Sequence, residues 1–225
     1  MNGKICNFDC IYCECGRNED GRGDTRIPSR DEVKKALAFK LKECLEAGTP
    51  IDSITFSGDG EPTLNPEFPG IIDDTLSLRN EYYPSAKVSV LSNATRLGDD
   101  AVFEALRKVD NPIMKIDACS NELAGIINRP HRGYDVRDVI DNLLKFKGDF
   151  VLQTMFLKSG AFDSSTPEVL ESWMDVVRRL SPREVMVYTI DRPVPEDGLH
   201  KFSEEQMRSF VRPLLEEGYN IQIKA

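Results

Sequence analysis

Three cysteines near the N-terminus constrain this chain more than any other feature of its sequence. Cys6, Cys10 and Cys13 follow one another at spacings of four and three residues, and Tyr12 stands just before the third. The whole chain has only six cysteines. Thiolates bind soft and borderline metals, and a short loop can direct several of them at one centre. The spacing therefore predicts that these three side chains are metal ligands.

Several kinds of site use cysteines spaced in this way. A structural zinc ion needs a fourth protein ligand, and Cys15 is near enough in the sequence to provide it. A cubane iron-sulfur cluster with three cysteines keeps one iron free to bind a reactant. Cys10 and Cys13 also form a C-x2-C pair, but a thioredoxin-like site follows a hydrophobic strand, and residues 1–5 are a poor strand. Disulfides are disfavoured because nothing indicates an oxidising compartment.

Length and composition indicate one globular domain. A chain of 225 residues can bury a full core, and its hydrophobic and charged fractions of 40% and 30% are ordinary. No apolar run approaches the roughly 20 residues that span a bilayer, and the N-terminus has no secretion pattern. We therefore expect a single domain over residues 1–225, located in the cytoplasm and not associated with a membrane.

The charge distribution bears on the class of partner. With 29 basic and 38 acidic residues the net charge is -9, so the chain as a whole repels polyanions. Nucleic-acid binding is thereby disfavoured without being excluded, because it depends on local patches. Four arginines follow the cysteines: Arg17, Arg22, Arg26 and Arg30. Acidic residues alternate with them, which favours a solvated loop of mixed charge.

Strands and helices alternate along the rest of the chain. Apolar runs predict six strands, near residues 51–57, 87–91, 113–117, 150–156, 185–190 and 219–224. Amphipathic stretches predict helices over about residues 29–47, 67–80, 99–108, 135–147 and 166–180, with a last helix that Ser203 opens through a capping box with Gln206. Such alternation requires right-handed crossovers and a parallel sheet. The sequence thus predicts an α/β fold, a partial (β/α) TIM-like barrel of about six parallel strands with outer helices.

Polar residues stand where several predicted strands end, which is where α/β folds place their ligands. The first strand runs into Gly58-Asp59-Gly60-Glu61-Pro62-Thr63, although a plain turn with solvated acids would also fit that sequence. Asn93 follows the second strand and Asp117 ends the third. Lys115 should project to the same side as Asp117 because side chains alternate along a strand. Asp117 could equally be a helix cap or a surface acid.

A later connection, residues 121–134, contains Asn128-Arg129-Pro130-His131-Arg132-Gly133. Arg129 or Arg132 could pair with a carboxylate or a phosphate, although isolated surface arginines are commoner. His131 and His200 are the two histidines of the chain, and we expect both to be structural or exposed.

The cysteine motif and the glycine-rich turn resemble two motifs of the radical S-adenosylmethionine (SAM) superfamily. C-x3-C-x2-C with an aromatic residue before the third cysteine is similar to that family's first motif. Gly60, Glu61 and Pro62 match its second motif, whereas Asp59 stands where many members have glycine. The two motifs occur in the order and at the spacing that the family uses, and the resemblance covers most of the chain.

The resemblance implies a cofactor set and a reaction. Cys6, Cys10 and Cys13 would hold a 4Fe-4S cluster whose open iron chelates the amino and carboxylate groups of SAM. An external electron donor of the flavodoxin or ferredoxin type would reduce the cluster. SAM would then be cleaved to methionine and a 5'-deoxyadenosyl radical that abstracts hydrogen from the substrate, and the protein would orient the reactants and exclude water.

It also implies roles for further residues. Gly58, Gly60 and Glu61 would receive the methionine ammonium, with Asp59 beside them as an additional acceptor. The Tyr12 backbone would lie near adenine. Asn93 and Asp117 would make further SAM contacts, Asp117 at a ribose hydroxyl. Cys15 and Cys119 are left open as a fourth ligand, a thiol in the pocket or an inert buried cysteine.

Further similarities concern the substrate and the N-terminus. Cys13-Glu14-Cys15-Gly16, the run from Thr55 to Leu64 and Asn128-Arg129-Pro130 resemble the branch that includes wybutosine-type tRNA-modifying synthases. The sequence does not name the substrate, which could be a tRNA or a protein. In this fold a strand precedes the cysteines, yet only five residues precede Cys6, so we expect that strand to be short or missing and the chain to be truncated. The alternatives are a zinc-stabilised binding module using all four cysteines of residues 6–15, and an activase that places a glycyl radical on a partner protein.

Overall fold

The computed structural model describes residues 4–18, 26–194 and 196–225. Its strands are β1 (Ser53–Phe56), β2 (Lys87–Ser92), β3 (Asn111–Lys115), β4 (Val151–Met155), β5 (Leu157–Lys158), β6 (Glu184–Tyr188), β7 (His200–Lys201) and β8 (Ile221–Lys224). Its helices are α1 (Arg30–Glu46), α2 (Phe68–Tyr82), α3 (Asp100–Lys108), α4 (Asn121–Ile127), α5 (Val136–Leu143), α6 (Pro167–Leu180) and α7 (Glu204–Glu216). Short 3-10 turns occupy Pro62–Leu64 and Leu144–Phe146.

Six of these strands form one parallel sheet in the order β1-β2-β3-β4-β6-β8, so neighbours in the sheet follow one another along the chain. The remaining strands, β5 and β7, pair antiparallel beyond the ends of β4 and β6. Helices connect consecutive strands of the sheet, as right-handed crossovers require. The predicted α/β fold with about six parallel strands and outer helices is confirmed.

The core lies between one face of the sheet and the helices. Met114, Leu152 and Val185 lie in register on neighbouring strands, and all three are fully buried. Trp173 of α6 packs into the same cluster, as its apolar stripe predicts, and its Nε1 donates to Thr154 Oγ1 at 3.0 Å. Burying a tryptophan is worth about 5 kcal/mol. The helices therefore pack on this face of the sheet, and the opposite face is not part of this core.

The opposite, concave face is partly open to solvent. Its residues have intermediate exposure: Leu91, Ile113, Lys115, Gln153, Met186 and Tyr188. The predicted orientation of Lys115 towards Asp117 is confirmed, because Lys115 Nζ lies 3.6 Å from Asp117 Oδ1. A half-open sheet with a polar concave side can therefore accept a ligand at its carboxyl edge.

Some predicted elements differ from the observed ones. The connection 121–134, for which no helix was predicted, contains helix α4; Ser120 begins it by accepting the Leu123 N–H at 3.2 Å. The helix predicted to reach residue 147 ends at Leu143 and continues as a 3-10 turn. A seven-residue helix and two-residue strands such as β5 and β7 are too short to produce a clear periodic pattern.

Both long terminal helices begin where predicted. Ser29 and Glu32 form a capping box on α1, and Ser203 and Gln206 form one on α7. The apolar face expected along α1, however, is only partly buried: Leu41 is 2% exposed but Leu45 is 52% exposed. The cause is position, because α1 comes before the edge strand β1 and packs on α2 rather than across the sheet.

The first described segment before α1, residues 4–18, is a loop rather than a strand. In residues 4–18 the ladder contacts are isolated bridges, a parallel one between Ile5 and Gly60 and an antiparallel one between Phe8 and Pro130. Isolated bridges in place of a regular strand in residues 4–18 agree with the expectation of a short or missing first strand. Of the predicted mixed-charge loop, Arg22 and its acidic neighbours lie outside the described residues. No helix in the described part of the chain is long and apolar enough to cross a membrane.

Candidate active site

Residues 4–18, the cysteine loop, lie across the carboxyl ends of the parallel strands. At one end, Ile5 N donates to Asp59 O at 3.0 Å and Glu61 N donates to Ile5 O at 2.9 Å. Further along, Ile11 N donates to Ile127 O at 3.0 Å. The loop is therefore fixed to the turn after β1 and to the end of α4.

The contact with that turn explains one of its glycines. Gly60 has φ +146°, and a Cβ atom there would stand 1.9 Å from the Ile5 carbonyl oxygen. Any side chain would separate the turn from the cysteine loop. At Gly58, by contrast, an added Cβ meets nothing within 4 Å. Gly60 is therefore required for docking of the loop, whereas Gly58 leaves open space.

Two of the three predicted ligands have amide groups beside their sulfur atoms. Asn128 Nδ2 lies 3.4 Å from Cys10 Sγ, and Asn93 Nδ2 lies 4.0 Å from Cys6 Sγ. The backbone N–H of Phe8 also donates to Cys6 Sγ at 3.4 Å. Burial raises the pKa of the Cys6 thiol to about 12 and also raises that of Cys10. These sulfurs are thus protonated unless a metal displaces the proton, and N–H donors are in place for the thiolate.

The third predicted ligand is electrostatically different. A hydrogen bond from Cys15 lowers the pKa of Cys13 to about 6, and the ammonium group of Lys4 acts in the same direction. Lys4 is buried, where its Nζ donates to Asp9 Oδ1 at 3.0 Å and to Gly16 O at 3.2 Å. The loop therefore surrounds a buried cation that can balance part of the negative charge of several thiolates.

A single metal ion and a metal cluster differ in how close together their protein ligands must lie. Within residues 4–18, 26–194 and 196–225, no three His, Cys, Asp or Glu side chains are close enough together to hold a single metal ion. A zinc tetrahedron made by Cys6, Cys10, Cys13 and Cys15 requires such convergence. A cubane cluster does not, because each cysteine binds a different iron. The two kinds of metal group therefore require different spacings of the sulfur atoms.

Glu61 is buried at the junction of β1 and β2. Its Oε1 accepts from Thr63 N at 3.1 Å, Thr63 Oγ1 at 2.6 Å and Ser92 Oγ at 2.9 Å. Its Oε2 accepts from Asn93 N at 2.7 Å. Burial nevertheless raises the pKa of the carboxyl group. A carboxylate offers about four acceptor positions, so an ammonium group at this point would have to bind the neighbouring backbone or displace one of these donors.

Asp117 occupies the corresponding place after β3. The Tyr12 hydroxyl and Asn128 Nδ2, at 2.6 Å, donate to its Oδ2, while Met155 N donates to its Oδ1 at 2.8 Å. Burial, together with the adjacent Asp117 charge, raises the pKa of Tyr12 well above its usual range. Asp117 therefore joins the cysteine loop to α4 and β4, and its alternative as a surface acid is wrong because it is 6% exposed.

Several other predicted residues can be placed. Arg129 pairs with a carboxylate of the protein itself, since its Nη2 lies 2.8 Å from Glu196 Oε2. His131 and His200 are exposed, as expected. Burial raises the pKa of Cys119 to about 12, which fits an inert thiol. Cys15 Sγ lies 3.6 Å from Gly58 O, next to the turn that follows β1.

Sequence reasoning did not assign roles to two side chains of this site. Asn128 contacts Cys10, Tyr12 and Asp117 at once, and Tyr188 faces Lys115 across the concave side of the sheet. Asn128 was noted only as part of a motif. The alternation of Glu184–Tyr188 could have placed Tyr188 on the concave face, because Val185 and Val187 occupy the buried one.

Comparison with known proteins agrees with this geometry. The family described as Radical SAM superfamily matches residues 3–172. A UPF0026 protein of Synechocystis is 30% identical over 196 residues, which cover 84% of this chain and 68% of that protein. The chain spans 31% to 68% of the length of the curated relatives it matches.

Solved structures share the fold at low identity. A radical SAM methyltransferase from Sphaerobacter thermophilus superimposes with a TM-score of 0.75 at 18% identity, covering 97% of this chain and 62% of that one. SuiB of Streptococcus suis, in a structure bound to S-adenosylmethionine, superimposes with a TM-score of 0.65 at 13% identity. The match covers 99% of this chain and 45% of SuiB. The family match over residues 3–172, on a sheet of this topology, shows that the chain belongs to the radical SAM superfamily of enzymes.

Proposed function

We propose that this enzyme holds a 4Fe-4S cluster through Cys6, Cys10 and Cys13 and uses it to cleave SAM reductively. The observation that carries the proposal is the cysteine loop itself, which presents three thiols beside the carboxyl ends of β1–β3 with N–H donors close to two of them. When bound, the cluster would supply the electron that breaks a sulfonium C–S bond of SAM, giving methionine and a 5'-deoxyadenosyl radical that takes a hydrogen atom from the substrate.

The residues around the thiols fit such a group. Asn93 and Asn128 place amide donors near Cys6 and Cys10, where they would stabilise thiolate sulfur. The buried ammonium of Lys4 compensates part of the negative charge. Outer hydrogen bonds of this kind orient metal ligands and tune the group that they hold. The chain thus supports its cysteines with neighbours suited to the deprotonated form.

The turn after β1 would receive the methionine end of SAM. Gly58, Asp59 and Gly60 present backbone and a carboxylate next to the cysteine loop, and Glu61 supports the turn from beneath through its four hydrogen bonds. In this arrangement the predicted contribution of Glu61 to binding is chiefly through its support of the backbone. The turn therefore orients the cofactor rather than reacting with it.

The other predicted contacts belong to the adenosine end. Tyr12 would border adenine with its backbone, while its hydroxyl is already engaged by Asp117. Asn93 and Asp117 would act near SAM mainly by holding the strand ends and the loop in place. Each has protein partners that fix its side chain: Asn93 Nδ2 donates to Asn7 Oδ1 at 2.7 Å, and Asn128 and Met155 donate to Asp117.

The substrate and the reductant complete the proposal. A tRNA, from the resemblance to the wybutosine-type branch, or a protein stays a prediction for the substrate, because the loops of a barrel set specificity. The single domain proposed for residues 1–225 would act with an external flavodoxin- or ferredoxin-type donor. We place the reaction in the cytoplasm because six free thiols require a reducing compartment.

The proposal is tested by assaying 5'-deoxyadenosine formation from SAM and dithionite under anaerobic conditions. We expect the wild-type protein and a Cys44→Ala control to form the product, because Cys44 is on α1, away from the cysteine loop. Cys10→Ala should reduce product formation to background. If protein with a full complement of iron and sulfide never cleaves SAM, the proposal is wrong. Colourless protein that binds zinc through Cys15 would support the binding-module alternative instead.

A further inference from the structure

Lys115 ends β3 on the concave face of the sheet and carries a positive charge into the interior of the partial barrel. Its side chain is 17% exposed. Its ammonium nitrogen lies 4.9 Å from the centre of the Tyr12 ring and 4.5 Å from that of Tyr188. The two rings come from the cysteine loop and from β6, so the cation is held where the loop faces the far side of the sheet. The Tyr12 ring stabilises a desolvated ammonium group from one side, and the Tyr188 hydroxyl accepts from it on the other.

The protein leaves part of the hydrogen-bonding capacity of this ammonium unused. Among the described residues, the hydrogen bond it makes is with the Tyr188 hydroxyl. The carboxylate of Asp117 lies 3.6 Å away, and N–H and O–H groups of other residues already donate to both of its oxygens. An ammonium group has three donors. With Tyr188 and Asp117 as partners, at least one N–H group of Lys115 has no acceptor among the described residues and can bind a further one.

The neighbouring concave positions provide no anionic acceptor. Lys115 is in register with Gln153, and Gln153 with Met186, and both are neutral and partly exposed. A ligand that lay along the sheet would therefore meet an amide, a thioether and one cation. Such a surface is suited to a molecule with a neutral body and one anionic group.

The methionine part of SAM is too far away to be that ligand. Its amino and carboxylate groups are on the same carbon, so both would lie at the turn after β1. Strands in a sheet are about 4.8 Å apart, so β3 is roughly 10 Å along the sheet from β1. Lys115 reaches further still, towards Tyr188 on β6. An anion on Lys115 therefore belongs to another molecule.

We propose that Lys115 binds an oxyanion of the substrate, a carboxylate or a phosphate, and so holds the substrate on the concave face beside the cysteine loop. This rests on the proposed function, because it places the substrate next to the SAM that the loop and the turn would hold. The anchored group lies at the Tyr12 side of the face, so the hydrogen to be abstracted is close to the anionic group. Gln153 lies beside the same group and can donate to it.

The test is direct binding of two probes, malonate and inorganic phosphate, measured by anaerobic calorimetry on the cluster-loaded protein with SAM present. We expect one probe to bind more tightly, which identifies the oxyanion. Lys115→Met should weaken that binding by at least about tenfold, whereas Lys115→Arg should retain it within about threefold because the charge remains. Lys224→Met, at an exposed position on β8, is the matched control and should bind like the wild type.

Three results would overturn the inference: binding of neither probe to the wild-type protein, equal binding to Lys115→Met, or displacement of the bound probe by increasing SAM. The last would mean that the anion is the carboxylate of SAM itself. Thermal unfolding of each variant shows whether the exchange has disturbed the fold, and the arginine variant tests the charge if methionine proves destabilising. Formation of 5'-deoxyadenosine by the wild-type protein is measured separately, so loss of that activity with probe binding intact contradicts only the proposed function.

Discussion

Carboxylates join neighbouring elements in two regions of this molecule, and they do so in different surroundings. In the strand-tip network, Glu61 and Asp117 are buried and accept mainly from N–H and O–H groups of neighbouring elements. In the α1–α2 seam, Asp74 accepts from Arg30 Nε at 2.6 Å and lies 3.1 Å from Lys34 Nζ. The side chains of these two cations are 46% and 50% exposed.

The direction of the pKa shifts separates the two regions. Burial raises the pKa of Glu61 although four groups donate to it, whereas a hydrogen bond from Arg30 lowers the pKa of Asp74 to about 2. In the seam, water reaches the half-exposed side chains of Arg30 and Lys34, the partners of Asp74. In the strand-tip network water is excluded, so a donor that loses its acceptor has no substitute. Hydrogen bonds to a carboxylate therefore stabilise the two regions to different extents.

Asp117→Asn should have the largest effect on stability. The amide keeps the shape of the carboxylate but replaces one acceptor with a donor, which faces the Tyr12 hydroxyl, Asn128 or the Met155 N–H. Lys115 also loses its nearby carboxylate. We expect a loss of about 3 kcal/mol in the free energy of unfolding. Urea unfolding in reducing buffer, followed by Trp173 fluorescence, measures it.

A matched control is Asp149→Asn, which breaks an exposed ion pair with Arg183. Its side chain is 78% exposed, so we expect a loss below about 1 kcal/mol. Equal losses for the two substitutions would contradict the distinction between buried and exposed carboxylates on which the comparison rests.

Glu61→Gln should have an intermediate effect. The new amide nitrogen must face the Thr63 or the Asn93 side of the former carboxylate, where a donor already points at it. No charged partner is lost, so we expect a loss of about 2 kcal/mol, measured by the same unfolding experiment. Glu104→Gln, which affects an exposed pair within α3, is the control and should change stability by less than about 0.5 kcal/mol. A glutamine variant as stable as the wild type would show that the four donors have other partners.

Asp74→Asn should have the smallest effect, below about 1 kcal/mol at neutral pH, because its cationic partners are about half exposed. The pH dependence has a definite sign. Since the folded-state pKa of Asp74 is below its ordinary value of 3.8, its contribution is present above about pH 4 and is lost as the pH falls towards about 2. The difference in stability between wild type and variant should therefore disappear over that range, and a constant difference would contradict the assignment.

Much of the fold was predictable from local patterns. The six strands of the parallel sheet, the capped starts of α1 and α7 and the buried stripe containing Trp173 all follow from period, caps and apolar spacing. The exposure of Leu45 was not predictable, because its helical period is the same whether α1 lies over the middle of the sheet or beside its edge. Helix α4 was missed because seven residues contain too few turns for a period to be recognised.

The candidate site, like the fold, was predictable from the sequence only in part. The sequence by itself determined which residue types stand together on short segments, namely three cysteines within eight residues and a glycine-rich turn after a strand, because those chemistries depend on local spacing. Only the tertiary structure decided the partners of each side chain. Tyr12 and Asp117 are separated by 105 residues in the chain, and Lys115 and Tyr188 by 73, and no local pattern reports contacts at such separations. They arise because parallel strands bring their carboxyl ends together at one edge of the sheet, where the cysteine loop docks on them.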